Sequence, residues 1–151
     1  MTDDAVTPVA ELMLAEARRA LDGQAQTLDS LRGHANQLLG FAAAVGALFT
    51  GLDNSRNWCT WVGLTFFGCV AIFALSVAAP ATVYFDVPPE RIADGSRSMS
   101  SDAAVRKFAG SRWKSYQQNK VVLDNMHRLF FMGICSFGAE MLFLVIAAVV
   151  N

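Results

Sequence analysis

What this sequence lacks is charge over long stretches where a water-soluble chain would carry it. Residues 35–52, 59–85 and 129–150 hold one ionised side chain between them, Glu140. Cysteine is scarce and odd in number: Cys59, Cys69 and Cys135, an unpaired set that supports neither a disulfide framework nor a paired metal motif. Histidine is limited to His34 and His127, each beside a predicted membrane boundary, where interfacial hydrogen bonding is the natural role. There is no phosphate loop, nucleophile elbow or metalloprotease signature. The reading is of a protein that is not an enzyme and needs no cofactor. An early apolar run is missing too, because Asp3 and Asp4 open the chain, so no cleavable signal is expected.

What is present is apolar surface. The chain has 151 residues, 54% hydrophobic and 17% charged, which is room for one domain on the membrane side of the usual soluble mix. An aqueous helix apolar on every face would have nothing to bury against in so short a chain. The predicted fold class is therefore all-α, an integral membrane bundle of three transmembrane helices. The first span, 35–52, is the shortest and carries Asn36 and Gln37 near its start; a span needs roughly 20 apolar residues. The second, 59–85, has an uncharged core that stops at Pro80. The third, 129–150, is long enough to tolerate one acid, whose central placement costs roughly 2.5 to 3.5 kcal/mol on insertion scales.

Basic residues set the orientation. Arg18, Arg19 and Arg32 lie in residues 1–34, eight Lys and Arg lie in 86–128, and the 53–58 connection has only Arg56. The positive-inside rule places the amino terminus and the 86–128 loop in the cytoplasm, with 53–58 and Asn151 outside. Trp58 and Trp61, and Tyr84 and Phe85, are the expected interfacial anchors. The loop's eight cations are interrupted by five acids, which suits anionic lipid headgroups better than nucleic acid.

Two cytoplasmic segments read as helices continuous with the first and third spans. Leu14, Ala17, Leu21, Leu28, Leu31, Ala35 and Leu38 recur at three- and four-residue steps, broken by Gln24, after a start at Thr7 and Pro8. A second stripe, Val105, Phe108, Arg112, Tyr116, Leu123, Met126 and Phe130, begins near Ser101 and Asp102, after a Pro-, Gly- and Ser-rich connection. These helices either cover a bundle or carry a signal to it.

Glu140 is the one candidate for chemistry. An acid at mid-span seeks the protein interior, and Gly133, Ser136 and Ala147 share its helical face. Repeated around an axis of several copies, Glu140 could line a cation path or gate it by protonation; meeting Asn36, Gln37 or a lipid-exposed water defect instead, it would be structural. Ala42, Gly46 and Thr50 on the first span, and Gly68, Ala71 and Ala78 on the second, form small-residue rows suited to tight helix packing. Homo-oligomerisation follows as an expectation from the large lipid-facing surface of three helices.

The segments LDSLRGHANQLLGFAAAVGALF, SVAAPATVYF and SYQQNKVVLDNMHRLF, each at the edge of a span, resemble small bacterial membrane effectors of the Pycsar and SLATT type. The resemblance covers most of the chain as a layout, with residues 35–39 and 116–119 the positions that invite comparison. It implies an inner-membrane protein that compromises the bilayer when a nucleotide-signalled antiphage pathway fires. No appended nucleotide-binding domain is recognisable, so a separate cytoplasmic sensor or partner protein is expected. The competing reading is a non-conducting adaptor whose cytoplasmic helices dock a partner.

Overall fold

The computed structural model describes residues 8–50, 58–80, 83 and 100–150, excepting the side chains of 49, 50 and 150. Among them the chain is all-helical, with three helices: α1 (Pro8–Thr50), α2 (Trp58–Ala78) and α3 (Ser101–Val150). Pro8 opens α1 at the position where its missing N–H costs nothing and its fixed φ suits the helix. Helix α2 stops two residues short of Pro80, whose ring disfavours helical geometry in the residue before it. At the start of α3, the Ser100 hydroxyl accepts from the Ala103 N–H at 3.4 Å, and Asp102 pairs with Arg106 at 2.8 Å across one turn. Of the expected connection 53–58, Trp58 instead opens α2, and residues 53–57, the anchors Tyr84 and Phe85, the loop 86–99 and Asn151 lie outside the described residues.

Contacts divide the chain into two compact units, residues 1–28 with 81–123 and residues 29–80 with 124–151, and both α1 and α3 contribute to each. Buried positions along these helices repeat every seven residues. On α1 they are Ala10, Ala17, Gln24 and Leu31, with Leu21, Leu28, Ala35 and Ala42; on α3 they are Asn119, Met126, Glu140 and Ala147. A sustained seven-residue repeat keeps one seam facing a partner helix, as in a coiled coil.

In the first unit the seam is mostly Ala and Leu, with Gln24 and Asn119 buried as its polar members. The Gln24 amide donates to the Tyr116 carbonyl at 3.0 Å, while its own Oε1 is buried without a partner. The outward side is charged: Glu11, Arg18, Arg19 and Asp22 on α1, and Arg106, Lys107, Lys114 and Lys120 on α3, are all exposed. Trp113 stacks on Tyr116 with ring centroids 5.1 Å apart.

In the second unit three helices pack together. Gly133 lies against Leu38 and Phe73, Glu140 against Gly46, and Gly63 against Leu144. Residue numbers rise together on α1 and α3, so these run parallel, and α2 runs against both. Arg32 donates to the Ala79 carbonyl at 3.3 Å, placing a cation at the carboxyl end of α2, where the helix dipole favours one. The outer faces are apolar: Phe41, Leu48, Trp61, Ile72, Leu75, Phe131, Leu142 and Val145 are all exposed.

Two helices, α2 and α3, are long and apolar enough to cross a membrane. The predicted first span is not a third by that measure. Its described part ends at Thr50, and Asn36 and Gln37 occupy its opening turn.

Candidate functional site

Glu140 sits on the buried seam of α3 in the second unit, with none of its surface exposed. The two neighbouring helices meet it at glycines. Its Oε1 lies 4.0 Å from where a Cβ on Gly46 would stand, and its backbone carbonyl lies 3.7 Å from the corresponding point on Gly63. Neither carboxylate oxygen has a hydrogen-bond partner. Buried polar groups in folded proteins are nearly always paired, and a carboxylate is the most costly kind to leave unpaired. Asn36 and Gln37, the partners expected of a structural role, are exposed on α1 and do not reach it.

The helix crossing beside Glu140 depends on the absence of a side chain at Gly63. A Cβ there would stand 2.8 Å from Leu144 Cδ2 and 2.9 Å from its Cγ. Two turns before Glu140, Gly133 plays a milder part, with 3.3 Å to Leu38 Cδ2. The rings of Phe66 and Phe143 stack at 5.8 Å, and Trp58 meets Phe143 edge-on at 6.3 Å, closing α2 onto α3 on the flank of this crossing.

The structure therefore brings together part of the predicted set. Gly133, Glu140, Ala42 and Gly46 are all buried in the seam, and Ser136 is half-buried beside it. Thr50 has no described side chain. The small-residue row assigned to α2 is displaced: Gly68, Ala71 and Ala78 are only half-buried, and Gly68 has nothing within 4 Å of its Cβ position. The buried face of α2 is Cys59, Thr60, Gly63, Val70, Ala74 and Val77. Gly63, Val70 and Val77 stand at seven-residue spacing, the signal that marks this face, but α2 is apolar all round and periodicity of hydrophobicity cannot separate its sides.

Among the described residues no three His, Cys, Asp or Glu gather, and Cys59, Cys69 and Cys135 form no disulfide. Glu140 offers two oxygens, well short of the six or more that a hard divalent cation takes. The site is a buried, unpartnered carboxyl on a helix long and apolar enough to cross a membrane.

Comparison with known protein families, characterised proteins and solved structures finds no match for this chain.

Proposed function

We propose that this chain is a three-span inner-membrane protein, amino terminus cytoplasmic and carboxyl terminus external, that assembles with copies of itself and perturbs the bilayer in response to an inner-face signal. The observation that carries the reading is Glu140: fully buried, unpartnered and midway along a 22-residue stretch without other charge, residues 129–150. An ionisable group in such a place is expensive and, where it persists, marks a path or a switch. Because the acid is enclosed within one chain, an assembly exposes it by loosening the packing at Gly46 and Gly63, not by apposing ready-made faces. Helices α1 and α3 run unbroken through both units, which gives a signal received by the first a covalent route into the second.

Three further features support the membrane assignment. Only 22% of the α2 span is buried within the chain, whereas the core helix of a soluble protein would be mostly buried. Trp58 and Trp61 are exposed in the first turn of α2, at the level where interfacial anchors belong. The parallel α1 and α3 with an opposed α2 are what three successive crossings produce. The layout shared with small bacterial antiphage effectors supports the effector class and a separate sensor.

An adaptor that binds a partner without conducting is the second reading, favoured by an apolar groove of about 360 Å³ in the first unit, lined by Met13, Ala17, Ala109 and Trp113 among others. Ion flux separates the two. In liposomes and in expressing cells, wild-type protein is expected to leak ions and Glu140→Gln to alter that leak. A stable oligomer that never conducts, in either setting, rejects the effector.

A further inference from the structure

Glu140 is buried where its ionised form has no support. Helices α1 and α2 meet it at Gly46 and Gly63, so neither presents a side chain at that point, and both carboxyl oxygens are without a hydrogen-bond partner. The N–H groups of the three helices are committed to their own backbone ladders. Ser136, one turn before Glu140, and Thr60, one turn before Gly63, carry hydroxyls, but neither bonds the carboxyl. Charge is also remote. Residues 35–50 of α1 and the whole of α2 carry none, and the other titratable side chains along these segments are thiols: Cys59 buried and Cys69 half-buried on α2, Cys135 exposed on α3. The closest basic side chains, Arg128 on α3 and His34 on α1, stand more than three turns before Glu140 and Gly46, about 18 Å along a helix. Asp53 and Arg56 lie outside the described residues.

We propose that Glu140 is a proton-binding site: the packed second unit holds it as the neutral acid, and loss of that proton loosens the helices at Gly46 and Gly63. This names the regulation of the site that carries the effector reading, and it rests on that reading for its consequence in the bilayer. A carboxylate in an apolar site without donors is far costlier than the neutral acid, and such a group gives up its charge. Ionisation therefore needs water. The packed crossing is closed to it, because Glu140 is fully buried and a Cβ at Gly63 would already collide with Leu144. The two events are thus linked: the O–H bond breaks, the proton passes to entering water, and the helices part to admit that water. Because the packed state binds the proton more tightly than the loosened one, packing is favoured in acid and lost as pH rises. One proton per chain changes the opening equilibrium by at most about tenfold per pH unit. By the same linkage, a signal that parts the helices releases a proton, and alkali mimics the signal.

The test uses the full chain in dodecyl maltoside, a detergent without carbonyl groups, so that the infrared band of a neutral carboxyl is readable. At neutral pH the wild-type chain is expected to show such a band and Glu140→Gln to lack it. Glutamate carrying a heavy carboxyl carbon should displace the band, an assignment that needs no variant. The band should fade as pH rises. Over the same range the thermal midpoint of the wild type should fall relative to that of Glu140→Gln, a difference that cancels the other titrating groups. In liposomes, wild-type leak should grow with pH and Glu140→Gln leak should not. Absence of the band at neutral pH overturns the proton site, whatever the leak does, and so does a band that fades with no change in the relative melt. Titration and melting as expected, with no leak at any pH, leave the proton site standing and reject the effector.

Discussion

The two units share a construction principle and differ in what surrounds it. Each packs α1 against α3 through positions that repeat every seven residues, and each buries polar side chains in that seam: Gln24 and Asn119 in one, Glu140 in the other. Outside the seam they part. The first unit presents Lys, Arg, Asp and Glu with a few apolar side chains among them, Val9, Leu12, Met13, Trp113 and Val121; the second presents mainly Phe, Leu, Ile, Val and Trp. The seam does not tell the two media apart, because a core of this kind is equally good in water or lipid; the proposal that the second unit lies in lipid rests on its exterior.

The comparison breaks most readily at exposed apolar positions. Leu142 and Leu12 are both open, 59% and 69% exposed, and replacing each by Arg should have unlike consequences. Leu142→Arg is expected to cost about 2.5 to 3.5 kcal/mol in insertion, read as a fall in the membrane-integrated fraction. Leu12→Arg should move thermal stability by no more than about 0.5 kcal/mol. Equal effects would erase the distinction between the exteriors.

Glycines sharpen it next. A Cβ at Gly63 collides with Leu144, whereas Gly23 in the first unit has nothing within 4 Å. Gly63→Val should destabilise by about 1 to 3 kcal/mol in detergent melts, through overpacking. Gly23→Ala should stabilise by up to about 1 kcal/mol, because an open helical site gains from lower backbone entropy in the unfolded chain.

The seam's polar members give a third contrast. Gln24→Leu gives up the amide's bond to the Tyr116 carbonyl, about 1 kcal/mol, but relieves a buried, unpartnered oxygen worth about 1 to 3 kcal/mol, and should raise the melting temperature by about 1 kcal/mol of stability. Arg32→Gln loses a partly exposed bond at the end of α2, about 0.5 to 1 kcal/mol, measured in detergent melts. A melt unchanged in Gln24→Leu would mean that water already satisfies that layer.

Much of the first unit was legible because its helices are amphipathic. Ala17, Leu21 and Leu28 stand out as apolar among charges and are buried, whereas Leu14 of the same stripe is only half-buried and Ala10 carries no such signal; Gln24, expected as a polar break, is buried within the seam. On α3 the stripe found Leu123 and Met126 but passed over Ala109 and Asn119, whose small or polar side chains carry no hydrophobic signal. Glu140 was legible as a lone acid in an apolar run, and its burial bears out the expectation that it seeks the interior. The facing surfaces were harder. With apolar side chains on every side of α2, composition gives no inside, and only glycine placement at Gly63, read against Leu144, decides it. Where a helix is apolar all round, steric complementarity carries the information that hydrophobic periodicity carries elsewhere.

The central claim is that the exterior of the second unit lies in lipid and that of the first does not. The chain's three tryptophans divide accordingly, Trp58 and Trp61 at the start of α2 and Trp113 in the first unit, all exposed. Fluorescence quenching by acyl-brominated phospholipid reads both at once. In nanodiscs, a Trp113→Phe chain should be strongly quenched and a chain with Trp58→Phe and Trp61→Phe should be untouched. Equal quenching of the two, or none in either, would contradict the account.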